Sequence, residues 1–521
     1  MDESRDNGFA RVFFWLLLGL LTAGRLCLTG QFEFSTDEAH YVMYGRHLAW
    51  GYFDHPPMVG FLAGFGEWLG GGEWLVRLGP VLCGSGALAF MGLLAADLQG
   101  WRAALLTLGL AACVPILMML GVALLPDATL NLFWCAALWS GWRAVSRGGW
   151  GWWLLAGACM GLAMLSKYHG VLLPGLLGLF LLTSPEHRRW LRRPEPYAAG
   201  LLALLVFLPN ILWNAGHDWA SYAYQLGHGG GKGRLTPENV FASIGGQLGV
   251  GTPILFGLVV AAGLVLALRP ARESDRFLAW TGLPVFVFFC GIGLVGKVLP
   301  HWPAPGWWSG LIALTVVLGR RLPAGGPAAR RWKRWTLAGV GLGLAMVVAL
   351  PVLLLQPVVG RAYLRLQPLS ERLHARWPAV KPLKPFVPKF DISNDVVGWK
   401  VVARAVAELR RARPDPARTF VMAGRFYALS QVCAYLEPGV PAWATRPELN
   451  QYSFWFDPAA HRGWEAIVIE DLRDSRGRGP GEWGGLFESV EPEPVEIKVD
   501  RDGIPARRTR LWIARGFKGA Q

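Results

Sequence analysis

A small number of carboxylates, lysines and histidines in this sequence could do acid–base chemistry or bind an anion. The first two groups are an acidic pair, Asp37-Glu38, and an Asp-His-Pro-Pro turn, Asp54–Pro57. Three further groups follow later in the sequence, namely Asp127, Lys167-Tyr168 and Lys297–His301. A carboxylate can act as a general base or hold a divalent cation. Lysine and histidine suit a phosphate, to which lysine presents a point charge. Together these residue types predict a polar site for a phosphorylated substrate. A lipid-linked phosphate needs such a mixed site.

The elements that must position these residues are membrane spans. Of the 521 residues, 53% are hydrophobic and only 17% are charged, whereas soluble domains carry about a quarter charged residues. Apolar runs of about 18 or more residues with few charges predict spans. We predict about eleven of them, at Phe9–Leu28, Leu78–Leu98, Ala103–Leu125, Ala128–Ala144, Trp150–Leu165, Val171–Thr183, Tyr197–Trp213, Gln247–Leu268, Phe277–Val295, Trp302–Leu318 and Trp335–Gln356. The predicted fold class is therefore a mainly α-helical polytopic membrane protein.

Basic residues are concentrated in alternate loops between these spans. The basic loops contain Arg102, Arg143 with Arg147, Arg188–Arg193, Arg269–Arg276 and Arg320–Arg334. Because basic loops stay in the cytoplasm, the N-terminus is predicted inside and, after an odd number of spans, the C-terminus outside. All candidate site residues then fall in outward loops. The formal net charge of +15 comes mainly from the inner loops and the tail, so it does not indicate a nucleic-acid partner.

The composition changes near Val358 to that of a soluble domain. Residues 1–357 are predicted to form the transmembrane domain, and its first outer loop, residues 30–77, carries the acidic pair. Residues 358–521 are predicted to form a small α/β extracytoplasmic domain. Its expected helix is Val396–Arg411, and its expected strands are Thr419–Ala423, Ala466–Glu470, Val495–Val499 and Arg510–Ala514. A second helix can be fitted at Arg425–Leu436.

Each candidate residue also has an ordinary structural explanation. Asp37 and Glu38 follow Ser35-Thr36 and fit the first turn of a helix. His55 fits a turn before two prolines, and Asp127 fits the cap of the next span. Lys167 and Lys297 fit side chains that snorkel to the membrane interface. The functional interpretation depends on all of them facing the same predicted side of the membrane.

The first outer loop carries the most specific pattern. After the acidic pair, Tyr41, Tyr44, Leu48 and Trp50 have the spacing of an amphipathic helix lying on the membrane interface, and Tyr52–Pro57 follows. Supporting segments are Asp127, Ser166–Tyr168, Lys297–Pro303, Gly398-Trp399 and Asn450–Tyr452. On these residues the chain resembles the glycosyltransferase C-fold superfamily. The similarity is to its family of protein O-mannosyltransferases, aminoarabinose transferases acting on lipid A, and their bacterial relatives.

The resemblance implies a reaction. A sugar is expected to pass from a polyprenyl-phosphate carrier to a lipid, glycan or protein acceptor, with inversion at the anomeric carbon. The expected place is the outer face of the bacterial inner membrane. One departure concerns the sugar, because aminoarabinose transferases have Glu-Lys-Pro where this chain has Asp54-His55-Pro56. A permanent positive charge is replaced by a histidine, which argues against carrying over the aminoarabinose substrate.

The resemblance also implies a role for each matched residue. Asp37 is the expected general base, with Glu38 in support. The residues expected to hold the donor phosphate are His55, Lys167, Lys297 and His301. Those expected to line the substrate pocket are Tyr41, Asp54, Asp127 and Tyr168. Asp54 and Asp127 are the expected ligands where a divalent metal ion serves as cofactor.

Two other classes of protein remain open at this point. The first is a multi-pass transporter or flippase that moves a lipid-linked sugar without breaking a bond. Transporters usually show internal repeats and broken helices at the membrane midplane, whereas no clear repeat is found here and the polar groups cluster at one face. The second is a membrane-anchored assembly or binding protein, which leaves the Asp-Glu and Asp-His-Pro-Pro elements unexplained.

Overall fold

The structure is a computed structural model that describes residues 3–230, 235–446, 449–472 and 479–519. Over these ranges the α-helices are α1 (Glu3–Leu28), α2 (Thr36–Arg46), α3 (Met58–Trp68), α4 (Gly72–Gln99), α5 (Trp101–Ala112), α6 (Pro115–Leu120), α7 (Pro126–Arg147), α8 (Trp150–Ser166), α9 (Leu172–Thr183), α10 (Glu195–Ala215), α11 (Ala220–Gly230), α12 (Pro237–Gly251), α13 (Pro253–Leu268), α14 (Glu273–Gly293), α15 (Ala304–Ala324), α16 (Gly326–Leu355), α17 (Val358–Arg376), α18 (Trp399–Arg411) and α19 (Phe426–Cys433). The strands are β1 (Thr419–Ala423), β2 (Ala442–Ala444), β3 (Glu465–Asp471), β4 (Phe487–Val490), β5 (Val495–Arg501) and β6 (Ile504–Phe517).

Five of the described helices are long and apolar enough to cross a membrane, namely α1, α4, α10, α14 and α16. A sixth span results when α12 and α13, which meet at a bend of 109°, are taken as one broken span. The predicted multi-pass, mainly helical membrane protein is therefore confirmed. Length and composition support five or six spans among the described residues, fewer than the eleven predicted.

The lower number has a physical reason, because several apolar runs in the sequence are not continuous helices. The run Ala103–Leu125 is interrupted between α5 and α6, where Pro115 begins a new helix. Two other runs form α8, with 17 residues, and α9, with 12 residues. A straight helix needs about 20 residues to cross the hydrocarbon core. Hydrophobicity alone therefore does not show which apolar runs cross the membrane independently, and the number of eleven stays a prediction.

The chain packs as two compact units. The first contains Met1–Cys27, Leu48–Gly66 and Val76–Val348. Within it, α8 packs against α7 and α10, and α14 packs against α15. Gly157 and Gly161 of α8 lie directly against the backbone of α10. Small residues of this kind allow membrane helices to approach closely, so the glycines fix the spacing of this helix pair.

The second unit contains Leu28–His47, Glu67–Leu75 and Ala349–Gln521. Its centre is a six-stranded mixed sheet in the order β2-β1-β3-β6-β4, with β5 also paired to β6. Strands β1, β2 and β3 are parallel, and β6 is antiparallel to β3, β4 and β5. Alternate residues face opposite sides: Val421 packs with α18 and α19, and Phe420 packs in a second apolar cluster. The predicted small domain of helices and strands is confirmed. The boundary between residues 357 and 358 stays a prediction.

Helix α2 corrects one expectation. The spacing of Tyr41 and Tyr44 predicted a helix lying on the membrane interface, but every residue from Glu38 to Tyr44 is buried within the protein. The helix packs against α19 of the same unit, and Tyr44 contacts Trp455 edge to face. Leu48 and Trp50, the other two residues of the predicted stripe, lie beyond the end of α2 and are exposed. The periodicity was therefore right only for Tyr41 and Tyr44, and it could not show that protein covers them.

Candidate active site

Asp127 and Lys167 form a buried ion pair in the first unit. Lys167 Nζ donates to both carboxylate oxygens of Asp127, at 3.0 Å to Oδ1 and 2.8 Å to Oδ2. Asp127 lies in the first turn of α7, directly after the proline that begins this helix. Lys167 follows the last residue of α8, where the backbone becomes extended before a short 3₁₀ turn. Burying either charge alone is costly, so the two helix ends are held together by the pair.

His301 adds an imidazole to this pair from the loop before α15. Its Nε2 lies 3.8 Å from Oδ2 of Asp127. The loop is held in place by Gln247 of α12, which donates to the carbonyl of Pro300 at 2.6 Å and accepts from Trp307 Nε1 at 3.0 Å. Burial lowers the pKa of His301 to about 4, although the Asp127 carboxylate raises it in part. The imidazole is therefore neutral at pH 7 and can donate a hydrogen bond without carrying a charge.

His55 comes to the same region from the first outer loop. The loop closes on itself, because the Tyr52 amide donates to the His55 carbonyl at 2.9 Å. Asn210 Nδ2 of α10 fixes it further by donating to the carbonyl of Trp50 at 2.9 Å. Burial lowers the pKa of His55, Asp54 raises it, and Lys167 lowers it. The fields of Asp54 and Lys167 thus both act on this ring, so the first outer loop belongs to the cluster.

Tyr168 and His169 complete the wall beside Lys167. The Tyr168 hydroxyl and Ser221 Oγ are 2.6 Å apart. The His169 ring contacts Trp302, with ring centroids 5.3 Å apart. We refer to Asp127, Lys167, His301, His55 and their neighbours Asp54, Tyr168 and His169 as the polar cluster. Every member lies in the first unit.

Some of the predicted site residues lie outside this cluster. Asp37, Glu38 and Tyr41 belong to the second unit. Asp37 is exposed in the first turn of α2, whereas Tyr41 is buried. Glu38 Oε2 accepts from both the amide and the hydroxyl of Ser35, each at 2.9 Å, so this carboxylate caps the start of α2. Lys297 is exposed and forms no ion pair with another described residue.

The amides that hold the loops were not among the predicted site residues. Asn210 and Gln247 each lie inside or at the edge of a predicted apolar run, where a polar side chain is expensive unless it is bonded. Both fix the backbone of a loop that contributes to the polar cluster. Polar amides inside apolar runs were the signal that could have identified them.

A metal ion does not fit the expected ligands. Both oxygens of Asp127 already accept from Lys167, and an ammonium group at that position opposes a second cation. Among the residues that the structure describes, no group of three or more His, Cys, Asp or Glu side chains is arranged to hold a metal. Lys167 therefore occupies the oxygens that Asp127 would offer to a metal ion, and the metal-ligand role of Asp54 and Asp127 stays a prediction.

The donors of the cluster are of the types that suit a phosphate. Lys167 contributes an ammonium group, and His301 contributes a neutral hydrogen-bond donor beside it. These groups lie at the ends of apolar helices, so the class defined by fold and site is a multi-pass membrane protein with a buried, phosphate-compatible cluster.

Comparisons with known proteins agree with this class. Residues 54–213 match the family model for dolichyl-phosphate-mannose-protein mannosyltransferases. This segment includes His55, Asp127, Lys167 and Tyr168. A curated relative, the lipid A galacturonosyltransferase RgtD of Rhizobium johnstonii, is 26% identical over 302 residues. The match covers 56% of this chain and 62% of that relative.

Solved structures show the same fold. ArnT of Cupriavidus metallidurans, bound to undecaprenyl phosphate, superposes with a TM-score of 0.66 at 18% identity, covering 98% of this chain and 99% of that one. The archaeal oligosaccharyltransferase AglB of Archaeoglobus fulgidus, in complex with an inhibitory peptide and a dolichol-phosphate, gives 0.52 at 13%, covering 90% and 70%. The resemblance predicted from the sequence is therefore confirmed. The enzyme class that it implies, a glycosyltransferase, is the class of the matched family and of the curated relative.

Proposed function

We propose that this chain is an inverting glycosyltransferase that moves a sugar from a polyprenyl-phosphate carrier to an acceptor. The observation that carries the proposal is the polar cluster, in which Asp127, Lys167, His301 and His55 converge from four separate parts of the chain. Three of these residues lie in the segment that matches the mannosyltransferase family model. The donor class follows from the chemistry of the cluster together with this match.

In this proposal Lys167, His301 and His55 bind the donor phosphate. Negative charge develops on the phosphate as the bond to the sugar breaks, so donors that are already in place lower the barrier. Asp127 orients Lys167 by accepting two hydrogen bonds from its Nζ. Asp54 and Tyr168 line the pocket. Undecaprenyl phosphate, which is bound in the ArnT structure, is the carrier to test first. Lys297 stays a prediction as a further phosphate ligand.

Asp37 is the proposed general base. Inversion requires the acceptor hydroxyl to attack the sugar from the side opposite the leaving phosphate, so the base and the phosphate ligands have to be different residues. Asp37 is an exposed carboxylate in the first turn of α2. Glu38 supports it by capping that turn, and Tyr41 packs one turn further along. A positioned carboxylate typically contributes about 10²–10⁴-fold to such a step.

No metal ion enters the proposed reaction. A structure of the A. fulgidus oligosaccharyltransferase contains zinc and sulfate, but at 12% identity and a TM-score of 0.55 this likeness concerns the fold alone, over 88% of this chain and 68% of that one. The charge that a metal would supply at the leaving phosphate is assigned to Lys167.

The proposed acceptor is a lipid, because the curated relative acts on lipid A. Glycan and protein acceptors are tested alongside it. The proposed place is the outer face of the bacterial inner membrane, with the N-terminus in the cytoplasm. The shorter apolar helices, such as α8 and α9, are proposed to complete the eleven crossings in pairs or at a tilt.

The test compares the lipids and surface glycans of cells with and without the gene by mass spectrometry. We expect a hexose- or pentose-modified species to disappear with the gene and to return with the wild-type protein. Asp37→Asn should fail to restore it at equal protein level, whereas Glu437→Gln, an exposed carboxylate in the same unit, should restore it.

Two results would count against the proposal. Full restoration of the modified species by Asp37→Asn would exclude Asp37 as the general base. Translocation of a polyprenyl-phosphate sugar by the purified protein in vesicles, with no glycosylated product, would instead identify a flippase. Binding of undecaprenyl phosphate to the protein in nanodiscs, measured by native mass spectrometry, tests the donor side separately. This binding should weaken in Lys167→Met.

A further inference from the structure

Arg46, the last residue of α2, is bonded to the end of α19 within the second unit. Its Nη1 donates to the carbonyls of Cys433 at 2.7 Å and Leu436 at 3.1 Å, and its Nη2 donates to that of Ala434 at 3.0 Å. The last carbonyls of a helix have no partner within the helix and carry partial negative charge. One guanidinium therefore binds the last carbonyl of α19 and two carbonyls of the turn that follows it. Its Nε also donates to Glu67 at 2.6 Å.

A buried chain of polar groups joins the same two helices at their centres. The Tyr44 hydroxyl lies 3.0 Å from His40 Nε2, and His40 Nδ1 lies 3.2 Å from Ser430 Oγ of α19. Ser430 Oγ is in turn 2.8 Å from the hydroxyl of Tyr452. All four side chains are buried. Because buried polar groups are costly when they lose a partner, this chain favours one register of α2 on α19.

The segment before α2 is fixed to the tail as well. Glu33 Oε2 accepts from the Trp399 amide at 2.6 Å, at the start of α18. The Phe34 amide donates to the Tyr435 hydroxyl at 2.7 Å, and that hydroxyl donates to Glu73 at 3.0 Å. Trp399 and Tyr452 are the tail residues that contributed to the family resemblance. Trp399 donates to Glu33 of the first outer loop, and the Tyr452 ring lies 6.4 Å from the His40 ring of the same loop, measured between centroids.

We propose that the C-terminal domain is the scaffold that positions α2, and that Arg46 is the main positioning residue for the base on that helix. This inference rests on the proposed role of Asp37. Asp37 itself is exposed in the first turn, so its place is set by the rest of the helix. The helix is anchored at its start by Glu33 and Phe34, at its centre by His40 and at its end by Arg46. In this proposal the C-terminal domain acts on catalysis by positioning α2.

The test uses the full-length protein in nanodiscs and needs no ligand for its first readout. Hydrogen exchange of residues 36–46 should become about tenfold faster or more in Arg46→Ala, because several charge-assisted hydrogen bonds are lost. Exchange of strands β1, β3 and β6 should stay as in the wild type. Arg46→Lys keeps the charge but not the planar fork, so it should restore the protection only in part. Arg404→Ala, an exposed arginine on α18, is the matched control.

The second readout is the amount of product that each variant restores in cells that lack the gene. Arg46→Ala should lower it at least tenfold, and Arg404→Ala should not. Unchanged exchange of α2 in Arg46→Ala would overturn the inference, and so would faster exchange with full product. Ser430→Ala removes a single hydroxyl from the buried chain and should give the same localised effect if Arg46→Ala does not fold. A normal amount of product from Asp37→Asn would instead exclude Asp37 as the base. The hydrogen-exchange evidence that Arg46 positions α2 would not be affected.

Discussion

The Asp127–Lys167 pair stabilises the protein only while both charges are present. The side chains are 1% and 5% exposed, so neither charge can be solvated alone. We expect Lys167→Met to lower the free energy of unfolding by about 3–5 kcal/mol, the usual cost of leaving one buried charge unpaired. The double variant Lys167→Met with Asp127→Leu should recover most of this loss, since no charge is then buried.

Thermal unfolding of the purified protein in detergent measures this cycle. Lys333→Met changes an exposed lysine of the same unit and should leave the unfolding midpoint unchanged. Equal midpoints for Lys167→Met and Lys333→Met would show that the buried pair does not form. The double variant is expected to be folded but unable to bind undecaprenyl phosphate tightly, which separates the stability effect from the binding effect.

His301 makes the stability of the protein depend on pH. Its folded-state pKa is lowered from the ordinary 6.5 to about 4, by burial and by Lys167 and His55, against the opposing effect of Asp127. The unfolded chain therefore takes up a proton first as the pH falls. The stabilisation that the neutral ring provides is complete above pH 6.5 and is lost progressively between about 6.5 and 4.

We therefore expect the unfolding midpoint of the wild type to fall between pH 7 and pH 5 by more than that of His301→Gln. The exposed His374 offers the matched control, and His374→Gln should reproduce the wild-type dependence. A His301→Gln curve parallel to that of the wild type would mean that His301 titrates like an exposed histidine.

At the scale of residues, the sequence singled out Asp127 and Lys167 but did not show that they form a pair. Asp127 and Lys167 were both expected in the site, but they are 40 residues apart, and no spacing rule joins them. Asp127 was expected as a metal ligand because an isolated carboxylate is compatible with an ion. Only the fold shows that both carboxylate oxygens of Asp127 accept from Lys167.

At the scale of elements, the α8–α10 contact depends on the absence of side chains. A Cβ on Gly157 would lie 2.8 Å from Ala199 Cα, and one on Gly161 would lie 2.7 Å from the Ala203 carbonyl. Backbone atoms cannot rotate away, so α8 and α10 would have to separate. We expect Gly157→Ala to lower the free energy of unfolding by about 1–3 kcal/mol, the usual cost of overpacking.

Gly200→Ala is the control for this prediction, because a Cβ there has no neighbour within 4 Å and it lies on the same helix pair. An alanine at that position should be neutral or slightly stabilising. The yield of monodisperse protein and its thermal midpoint compare the two variants. Equal behaviour of Gly157→Ala and Gly200→Ala would contradict the close packing.

Hydrophobic patterns predicted where helices occur more reliably than where they end or what covers them. The long apolar runs that were predicted as spans include five helices that meet the criteria of length and composition, namely α1, α4, α10, α14 and α16. The break between α5 and α6 was missed because Val114-Pro115 lies within an unbroken apolar stretch. Helix α2 was assigned to the membrane interface because a sequence period identifies an apolar face but carries no information about its partner.

At the scale of the whole molecule, composition along the chain could not reveal the second unit. A boundary near residue 357 follows from the change in hydrophobicity, but the segments Leu28–His47 and Glu67–Leu75 fold with the tail. His40 and Ser430 are 390 residues apart and in direct contact. Contacts over such a separation depend on the packed surfaces of α2 and α19, which no local pattern encodes.

The parity of the number of crossings fixes the sides of the membrane on which the two termini lie. Five spans, or the eleven predicted from hydrophobicity, place the termini on opposite sides of the membrane, whereas six place them on the same side. The basic loops favour a cytoplasmic N-terminus. We therefore expect alkaline phosphatase fused after Gln521 to be active, and the same enzyme inserted after Arg192, in a basic loop, to be inactive. Green fluorescent protein at the same two positions should give the opposite pattern.

An inactive phosphatase at Gln521 with a cytoplasmic N-terminus would require an even number of crossings. The bent pair α12–α13 would then count as one complete span, and the sheet domain, with α2 and Asp37, would face the cytoplasm, away from any outward acceptor.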